Sequence, residues 1–406
     1  MILYYADNIE RAKFWMAISA ACSKVMGDIY YTNELNVYLY LRYHSKRVKL
    51  ITHGSCRDAD NVDAIVKANY EFLSGDISYE SAIELYRNSY SFFKSENLNE
   101  VKYVFVWNGE SLIAKSILNT FSNSDIEAEF RFFEIANLPG KIFVDPKGTN
   151  GKSLYSTDFR EINSNLIDEN VSADYKHWLE SYKSSNNAPK QVKKKGMSYF
   201  VKSVINESVK YIGYSLFSLS KRSDMSYFNT VQRLFNYHFS QSSAVNKTDN
   251  FSIDENDLIY FVPFQVSNDT QLVINSDVDN LQLLKYVVTL AKEDDAKVIA
   301  KIHPAEENIK KSNELMLFGS DNEVRFENST DSNELIKVSS KVFTINSTVG
   351  LQAMILGKDV EVLGNAVYKN FNKEDLEIYI TRYLLDIDYF NPSDFDSSQV
   401  NKVFNM

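Results

Sequence analysis

The chain has 406 residues, with 44 Lys and Arg against 54 Asp and Glu, for a formal charge of -10. That length accommodates two domains, and the acidic total argues against a general nucleic-acid binder, whose phosphate contacts need a basic face. Two cysteines, Cys22 and Cys56, exclude a disulfide framework and a four-Cys zinc site.

The start, MILYYADNIERAKFW, carries Asp7 and Glu10 where a signal peptide needs a basic n-region and an unbroken apolar core. No window holds the roughly 18 consecutive apolar residues of a membrane span, so a cytoplasmic protein is expected, with contact at a membrane surface left open. Ile2–Tyr5 reads as a strand and Glu10–Lys24 as a helix with Phe14, Ile18 and Ala21 on one face. Val48–His53 is a second strand. Val101–Trp107 (VKYVFVW) is the clearest one, followed by Asn108-Gly109 and a helix over Ser111–Phe121. Glu129–Glu134 is another strand. Strand, turn and helix in alternation predict a parallel sheet with covering helices over 1–150.

Residues 151–250 differ: they are rich in Ser, Asn, Lys and Tyr. Between Lys183 and Arg222 stand nine Lys or Arg and one acid, Glu207. Val201, Ile205, Val209, Ile212, Leu216 and Leu219 recur at helical spacing, which predicts a basic amphipathic helix. Its Lys193, Lys194, Lys195, Lys202 and Lys210, interleaved with Tyr and Phe, suit an anionic membrane surface; an interdomain helix with a solvated Lys face is the alternative. The α/β rhythm returns over 251–370, with strands at Leu258–Val262, Ala296–Ile302, Lys341–Ile345 and Asp359–Leu363. Helices are expected at Val278–Lys292, Glu334–Ser339 and Ser347–Leu356. In 371–406 a helix over Asp375–Leu385 is expected to cross back to the first domain.

Four stretches carry candidate chemistry. Thr344–Gly350 (TINSTVG) joins a buried strand to a helix start. The first helical N–H groups lack intrahelical partners and carry partial positive charge, which is a phosphate-binding geometry. Ser347 and Thr348 supply a cap or a hydroxyl for an anion, and Gly350 allows close approach; an ordinary Ser/Thr cap is the plainer alternative. Lys301-Ile302-His303-Pro304 ends another strand, at the sheet edge where ligands of open α/β folds bind. Lys301 and His303 fall on one side by the strand period, suited to neutralising a phosphate leaving group, or equally to a surface Lys beside a packed His. Phe264–Gln271 places Gln265, Asp269 and Gln271 in a strand-to-helix loop, where Asp269 fits a nucleophile, a base or a cap. Glu134 ends a strand of the first domain and suits a general base, with Asp145 and Asn150 following it. No Walker A loop, GxGxxG, HExxH or Cys-rich metal spacing occurs, so no metal and no nicotinamide cofactor are expected.

These stretches together resemble the capsule polysaccharide biosynthesis/export family of bacterial β-Kdo glycosyltransferases. The resembling pieces are WNG (107–109), FEIANLPGKIFVDPKGTN (133–150), FVPFQVSNDTQ (261–271), KIHP (301–304) and NSTVGLQAMILGKDVEVLGNAVY (346–368), in the family's order. Gln352 stands where the family usually has Glu, and Ala136 where it tends to have Gly. The resemblance implies a GT-B-like fold: two Rossmann-type domains facing across a cleft, here with a helical basic insertion between them. It implies a retaining transferase using CMP-Kdo, by double displacement, with Asp269 as nucleophile, Glu134 as acid/base and His303 assisting. Lys301, His303, Pro304, Asn346, Ser347, Thr348, Gly350, Gln352, Gln265 and Gln271 would bind the donor, and Asn108, Asn150 and Asp145 would line the acceptor side. Asp145 is also the carboxylate competing with Glu134 and Asp269. The implied acceptor is a (lyso)phosphatidylglycerol-type lipid or a Kdo linker at the inner face of the cytoplasmic membrane, with other capsule-assembly enzymes as partners. Another CMP-nonulosonate transferase, sialyltransferase-like, and a non-catalytic capsule assembly protein of the same fold are the alternatives.

Overall fold

The computed structural model describes residues 1–22, 26–52, 61–136, 138–184, 196–239, 257–306, 308–392, 395 and 397–405. The chain divides into two units. One comprises Met1–Leu154, Ser164–Gln241 and Tyr379–Met406; the other comprises Tyr155–Asn163 and Ser242–Ile378.

The first unit is built on β1 (Ile2–Tyr5), β2 (Asp28–Thr32), β3 (Val48–Leu50), β4 (Tyr103–Trp107), β5 (Glu129–Ile135) and β6 (Lys141–Asp145). All are short apolar or aromatic runs, and β1 is buried on both faces, as a central parallel strand must be. The second unit contributes β7 (Ile259–Pro263), β8 (Lys297–Lys301), β9 (Arg325–Phe326), β10 (Lys341–Thr344) and β11 (Asp359–Val362); β12 (Leu385–Asp386) returns to the first unit. The first sheet has the order β12-β6-β5-β4-β1-β2-β3, and the second β11-β10-β7-β8-β9. The second is wholly parallel. The first is parallel from β3 to β5, with β6 and β12 antiparallel at one edge. The expected mixed α/β fold with parallel sheets is therefore present in both units.

Strand β2 and the antiparallel β6 were absent from the sequence expectation. The sequence DIYYT of β2 mixes polar ends with tyrosines, and its Tyr30 and Tyr31 are nevertheless fully buried. The expected Glu10–Lys24 helix spans Ile9–Cys22, and the expected Val278–Lys292 helix spans Asn280–Asp294, opened by a capping box of Asp279 and Gln282. Where a helix over Asp375–Leu385 was expected, a short helix at Lys373–Ile378 gives way to a π-turn at Tyr379–Tyr383 and then to β12.

Residues 164–239 do not form a separate connecting region; they belong with the first unit. The helix Met197–Leu216 approaches its neighbours so closely at Gly213 that a Cβ there would lie 2.7 Å from the Leu35 Cβ. Arg131 of β5 is fully buried, and its guanidinium donates to the Val403 carbonyl at 2.6 Å and the Phe404 carbonyl at 2.7 Å, in the helix Ser397–Phe404. No helix among the described residues is long and apolar enough to cross a membrane.

Candidate functional site

In the second unit the chain runs from β7 outward to β8 and β9, then returns to place β10 on the other side of β7. That reversal creates a crevice at the carboxyl ends of β7 and β10, where open α/β sheets bind ligands. The loop after β7 carries Gln265, Ser267 and Asp269; the loop after β10 carries Asn346 and Ser347.

The amides of these loops bind one another. Gln265 Nε2 donates to Asn346 Oδ1 at 2.8 Å, and Asn346 N–H donates to Gln265 Oε1 at 3.1 Å. Asn346 Nδ2 donates to the Gln271 carbonyl at 2.8 Å, and Asn275 Nδ2 donates to Gln271 Oε1 at 2.6 Å. Asn280 closes the set by donating to the Gln265 carbonyl at 2.7 Å. Gln265, Gln271 and Asn346, expected at the donor, thus brace the crevice. Buried amides seek partners, and here they find them in the protein.

Asp269 caps the helix Thr270–Asn275 through Oδ1, which accepts the Gln271 N–H at 2.7 Å. Oδ2 has no protein donor among the described residues, and the residue is half-buried. Ser347 caps the helix Thr348–Ile355 by accepting the Val349 N–H at 3.2 Å. The Gly350 N–H is taken by the Ser347 carbonyl at 3.0 Å, and the Thr348 N–H has no protein acceptor among the described residues. Gly350 admits not a ligand but the protein: a Cβ there would lie 2.6 Å from the Tyr368 hydroxyl and 2.7 Å from Thr344 Cγ2. Gln352 is buried on the same helix.

Lys301 and His303 do not act as a pair. The strand ends at Lys301, so its period does not extend to His303. Lys301 is buried, and its Nζ donates to the carbonyls of Asn328, at 3.3 Å, and Thr330. Burial pulls its pKa down against the opposing fields of Asp331 and Glu327. It staples the 328–330 loop rather than presenting its charge. His303 is exposed beside Pro304, in a turn where its Nδ1 accepts the Ala305 N–H at 3.1 Å. That bond assigns the proton of the neutral ring to Nε2, which can donate to an anion.

In the first unit, Glu134 on β5 is half-buried and accepts from Asn150 Nδ2 at 2.7 Å. Asn108 follows β4 in the left-handed region (φ 39°) and donates its N–H to the Phe133 carbonyl at 3.0 Å, beside Glu134. Gly109 must be glycine there: its φ is 78°, and a Cβ would meet the Phe132 ring at 2.5 Å. Asn108, Glu134 and Asn150 are therefore brought together. Asp145 is not available as the competing carboxylate. It is fully buried, with Oδ1 accepting the N–H groups of Lys147, Gly148 and Leu154, and Oδ2 accepting the Tyr383 hydroxyl at 2.8 Å.

A second cluster in this unit was missed. Its strand order also reverses, between β1 and β4. At that edge Asp7 accepts from Arg11 and, at 2.6 Å, from Arg222; Glu71 accepts from Arg222 at 2.7 Å and from the Leu112 N–H at 2.8 Å. Arg11 also lies over the Trp107 ring at 5.0 Å. Burial alone would raise the Asp7 pKa; Arg11 and Arg222 instead hold it at about 2. Glu34, after β2, accepts the Tyr214 hydroxyl at 3.0 Å on both oxygens. Burial pushes it up to about 7, against Lys210, Arg222 and the Tyr214 bond. The position of Asp7 directly after the first strand was the available signal.

Of the lysines expected on a membrane face, Lys210 is corrected by these contacts. Lys210 pairs with Glu207 at 2.8 Å and faces Glu34, so it is turned inward. Lys202 is exposed, over the Tyr199 ring; Lys193, Lys194 and Lys195 lie outside the described residues. What the helix turns outward is apolar: Met197, Val201, Ile205, Ile212 and Leu216, the last 74% exposed.

Residues 139–371 match the family model described as capsule polysaccharide biosynthesis protein. Over 122 residues the chain is 37% identical to Protein FixF of Sinorhizobium fredii, a match covering 29% of this chain and 28% of that protein's length. Among solved structures, the β-Kdo 2,7 transferase of Thermosulfurimonas dismutans KpsC aligns over 100% of this chain and 98% of its own, at 13% identity and a TM-score of 0.46. The β-Kdo 2,4 transferase of the same KpsC aligns over 74% and 86%, at 12% identity and a TM-score of 0.41. The UDP-GlcNAc 2-epimerase of Methanocaldococcus jannaschii aligns over 100% and 99%, at 12% identity and a TM-score of 0.33.

Proposed function

The chain belongs to the capsule polysaccharide biosynthesis protein family, and from that premise we propose that it is a retaining glycosyltransferase that moves Kdo from CMP-Kdo onto a capsule acceptor. The observation that carries the reading is the crevice edge of the second unit, where Asp269 Oδ2, His303 Nε2 and the Thr348 N–H stand on loops bonded to one another. A nucleophilic oxygen and two donors for a departing phosphate are the parts that donor cleavage needs.

In this mechanism Asp269 Oδ2 attacks the anomeric carbon as the bond from that carbon to the phosphate oxygen breaks. CMP leaves with the electron pair, and the Thr348 N–H and His303 Nε2–H bind its developing charge. An acceptor hydroxyl then attacks the same carbon, the bond to Asp269 breaks, and the hydroxyl proton passes to a general base. Two inversions retain the configuration. No metal is needed in this sequence of steps.

The acceptor in this reading is a phosphatidylglycerol-type lipid or a Kdo linker on it. Support comes from the outward apolar stripe of Met197–Leu216, joined by exposed Phe217, Phe228 and Phe235. The two acids between Met197 and Phe239, Glu207 and Asp224, are engaged with Lys210 and the Ser78 N–H, while Lys202 remains exposed. An apolar stripe beside an exposed Lys matches an anionic leaflet, to which each Lys adds about 1 kcal/mol.

The test is the intact mass of the protein after incubation with CMP-Kdo and no acceptor, beside Asp269→Asn. Asn caps a helix as well as Asp, so the variant keeps its fold. A gain of one Kdo in the parent and none in the variant, with CMP still bound by both, is the expected result. A variant that retains full turnover removes Asp269 as nucleophile. An adduct with a different CMP-nonulosonate alone changes the donor. CMP binding with no turnover of any such donor, with or without acceptor, makes the chain a non-catalytic assembly protein.

A further inference from the structure

Two loops of the second unit, one bearing Asp269 and the other His303, are joined by a side chain that belongs to neither motif. Glu306 closes the turn after His303-Pro304-Ala305, and its N–H donates to the His303 carbonyl at 2.9 Å. Its Oε2 accepts the Ser267 N–H at 2.7 Å and the Ser267 hydroxyl at 2.6 Å. Its Oε1 accepts the Asn308 N–H at 2.7 Å. Ser267 stands two residues before Asp269, whose own N–H donates to the Val266 carbonyl at 2.9 Å.

We propose that Glu306 is a positioning residue that sets the spacing between the Asp269 carboxylate and the His303 imidazole. The proposal rests on the transferase reading above. Three donors converge on this side chain, and an ionised carboxylate is acceptor-only on both oxygens. Glutamine offers one acceptor oxygen, and its amide NH2 would meet a donor on whichever side it pointed. Bonds to an ionised acceptor are also shorter and stronger than neutral ones. A carboxylate beside a phosphate-binding turn opposes the anion, so contact with the ligand does not explain it. Registering the two loops does. Aspartate, one methylene shorter, would draw the loops about 1 Å out of place, and a misplacement of that size costs on the order of 100-fold in rate.

The experiment measures CMP release from CMP-Kdo, CMP affinity by calorimetry and thermal melting, for the full chain and for E306Q, E306D and S267A. E306Q and E306D are expected to lower kcat 10- to 100-fold while the Kd for CMP stays within threefold and the melting curve is kept. S267A, which removes the hydroxyl and keeps the N–H, is expected to lose about threefold in kcat, and it serves as the test where E306Q does not fold. E306Q at the parent rate, or CMP affinity falling in step with kcat, overturns the positioning role and leaves the transferase reading standing. A parent protein that releases no CMP from CMP-Kdo or any other CMP-nonulosonate overturns that reading and the proposal with it.

Discussion

Arg222 donates to Asp7 at 2.6 Å across 215 residues of sequence, and both groups lie at the carboxyl edge of the first sheet. The same guanidinium holds Glu71 at 2.7 Å. One cation thus neutralises two carboxylates whose side chains are 5% exposed, and it fixes the segment after the Met197–Leu216 helix to the sheet.

Replacing Arg222 by Met leaves Glu71 without a cation and Asp7 with Arg11 alone. Removing one partner of a buried ion pair costs about 3 kcal/mol or more. The urea midpoint of the first unit is expected to fall accordingly, and an unchanged midpoint would show that the cluster carries no net stability.

Glu34 and Asp7 give opposite pH dependences. The Glu34 pKa rises from 4.5 to about 7 in the folded chain. Between those values the folded state holds a proton the unfolded state has lost, so this contribution falls as pH rises, and it is flat above 7. Asp7, depressed from 3.8 to about 2, contributes stability above pH 4 that is lost as pH falls through 2. Glu34→Gln is expected to remove the decline between pH 4.5 and 7 and to add up to about 3 kcal/mol at pH 8. Urea unfolding of both proteins across this range decides it; parallel curves would mean Glu34 is ionised throughout.

Gly350→Ala forces a methyl against the Tyr368 hydroxyl and Thr344 Cγ2. Tyr368 is buried and donates to the Ser347 carbonyl, so the strain reaches the residue that caps the helix. Overpacking of this kind costs about 1–3 kcal/mol. A lower melting temperature of the second unit and weaker CMP binding are expected together; normal CMP affinity would detach this helix start from the donor.

Ile205→Glu with Leu216→Glu places two charges on side chains that are 57% and 74% exposed. Circular dichroism and melting should be unchanged, since exposed substitutions cost little. Co-sedimentation with phosphatidylglycerol vesicles is expected to fall at least tenfold. Equal pelleting of the variant would move lipid contact elsewhere.

Local chemistry was legible in the sequence wherever a turn follows a clear strand. Asn346, Ser347 and Thr348 stand where the pattern of buried strand and capping residue put them. Asp269 is the cap that the loop composition allowed, and Glu134 and Asn150 share a hydrogen bond as neighbours in one motif. Side-chain direction was less legible. Lys301 reads as a partner for His303 only if the strand continues, and it ends at Lys301, two residues short of His303. Glu34 went unseen because β2 was, and a polar strand with two tyrosines gives little periodicity. Lys210 and Arg222 looked like one basic face, but Lys210 also faces Glu34, and Arg222 binds Asp7 and Glu71, acids more than 150 residues away and beyond any local spacing.

Arg131 sets a timetable for the nascent chain. Its carbonyl partners on Val403 and Phe404 are separated from it by 272 and 273 residues. At synthesis rates of roughly 5–20 residues per second, they follow it out of the ribosome by roughly 15 to 55 seconds. For that interval the guanidinium has only its local acceptors, the Phe130 carbonyl and the Glu129 carboxylate, both at 2.8 Å. The edge of the first unit at β5 is therefore completed only after every strand of the second unit has been made.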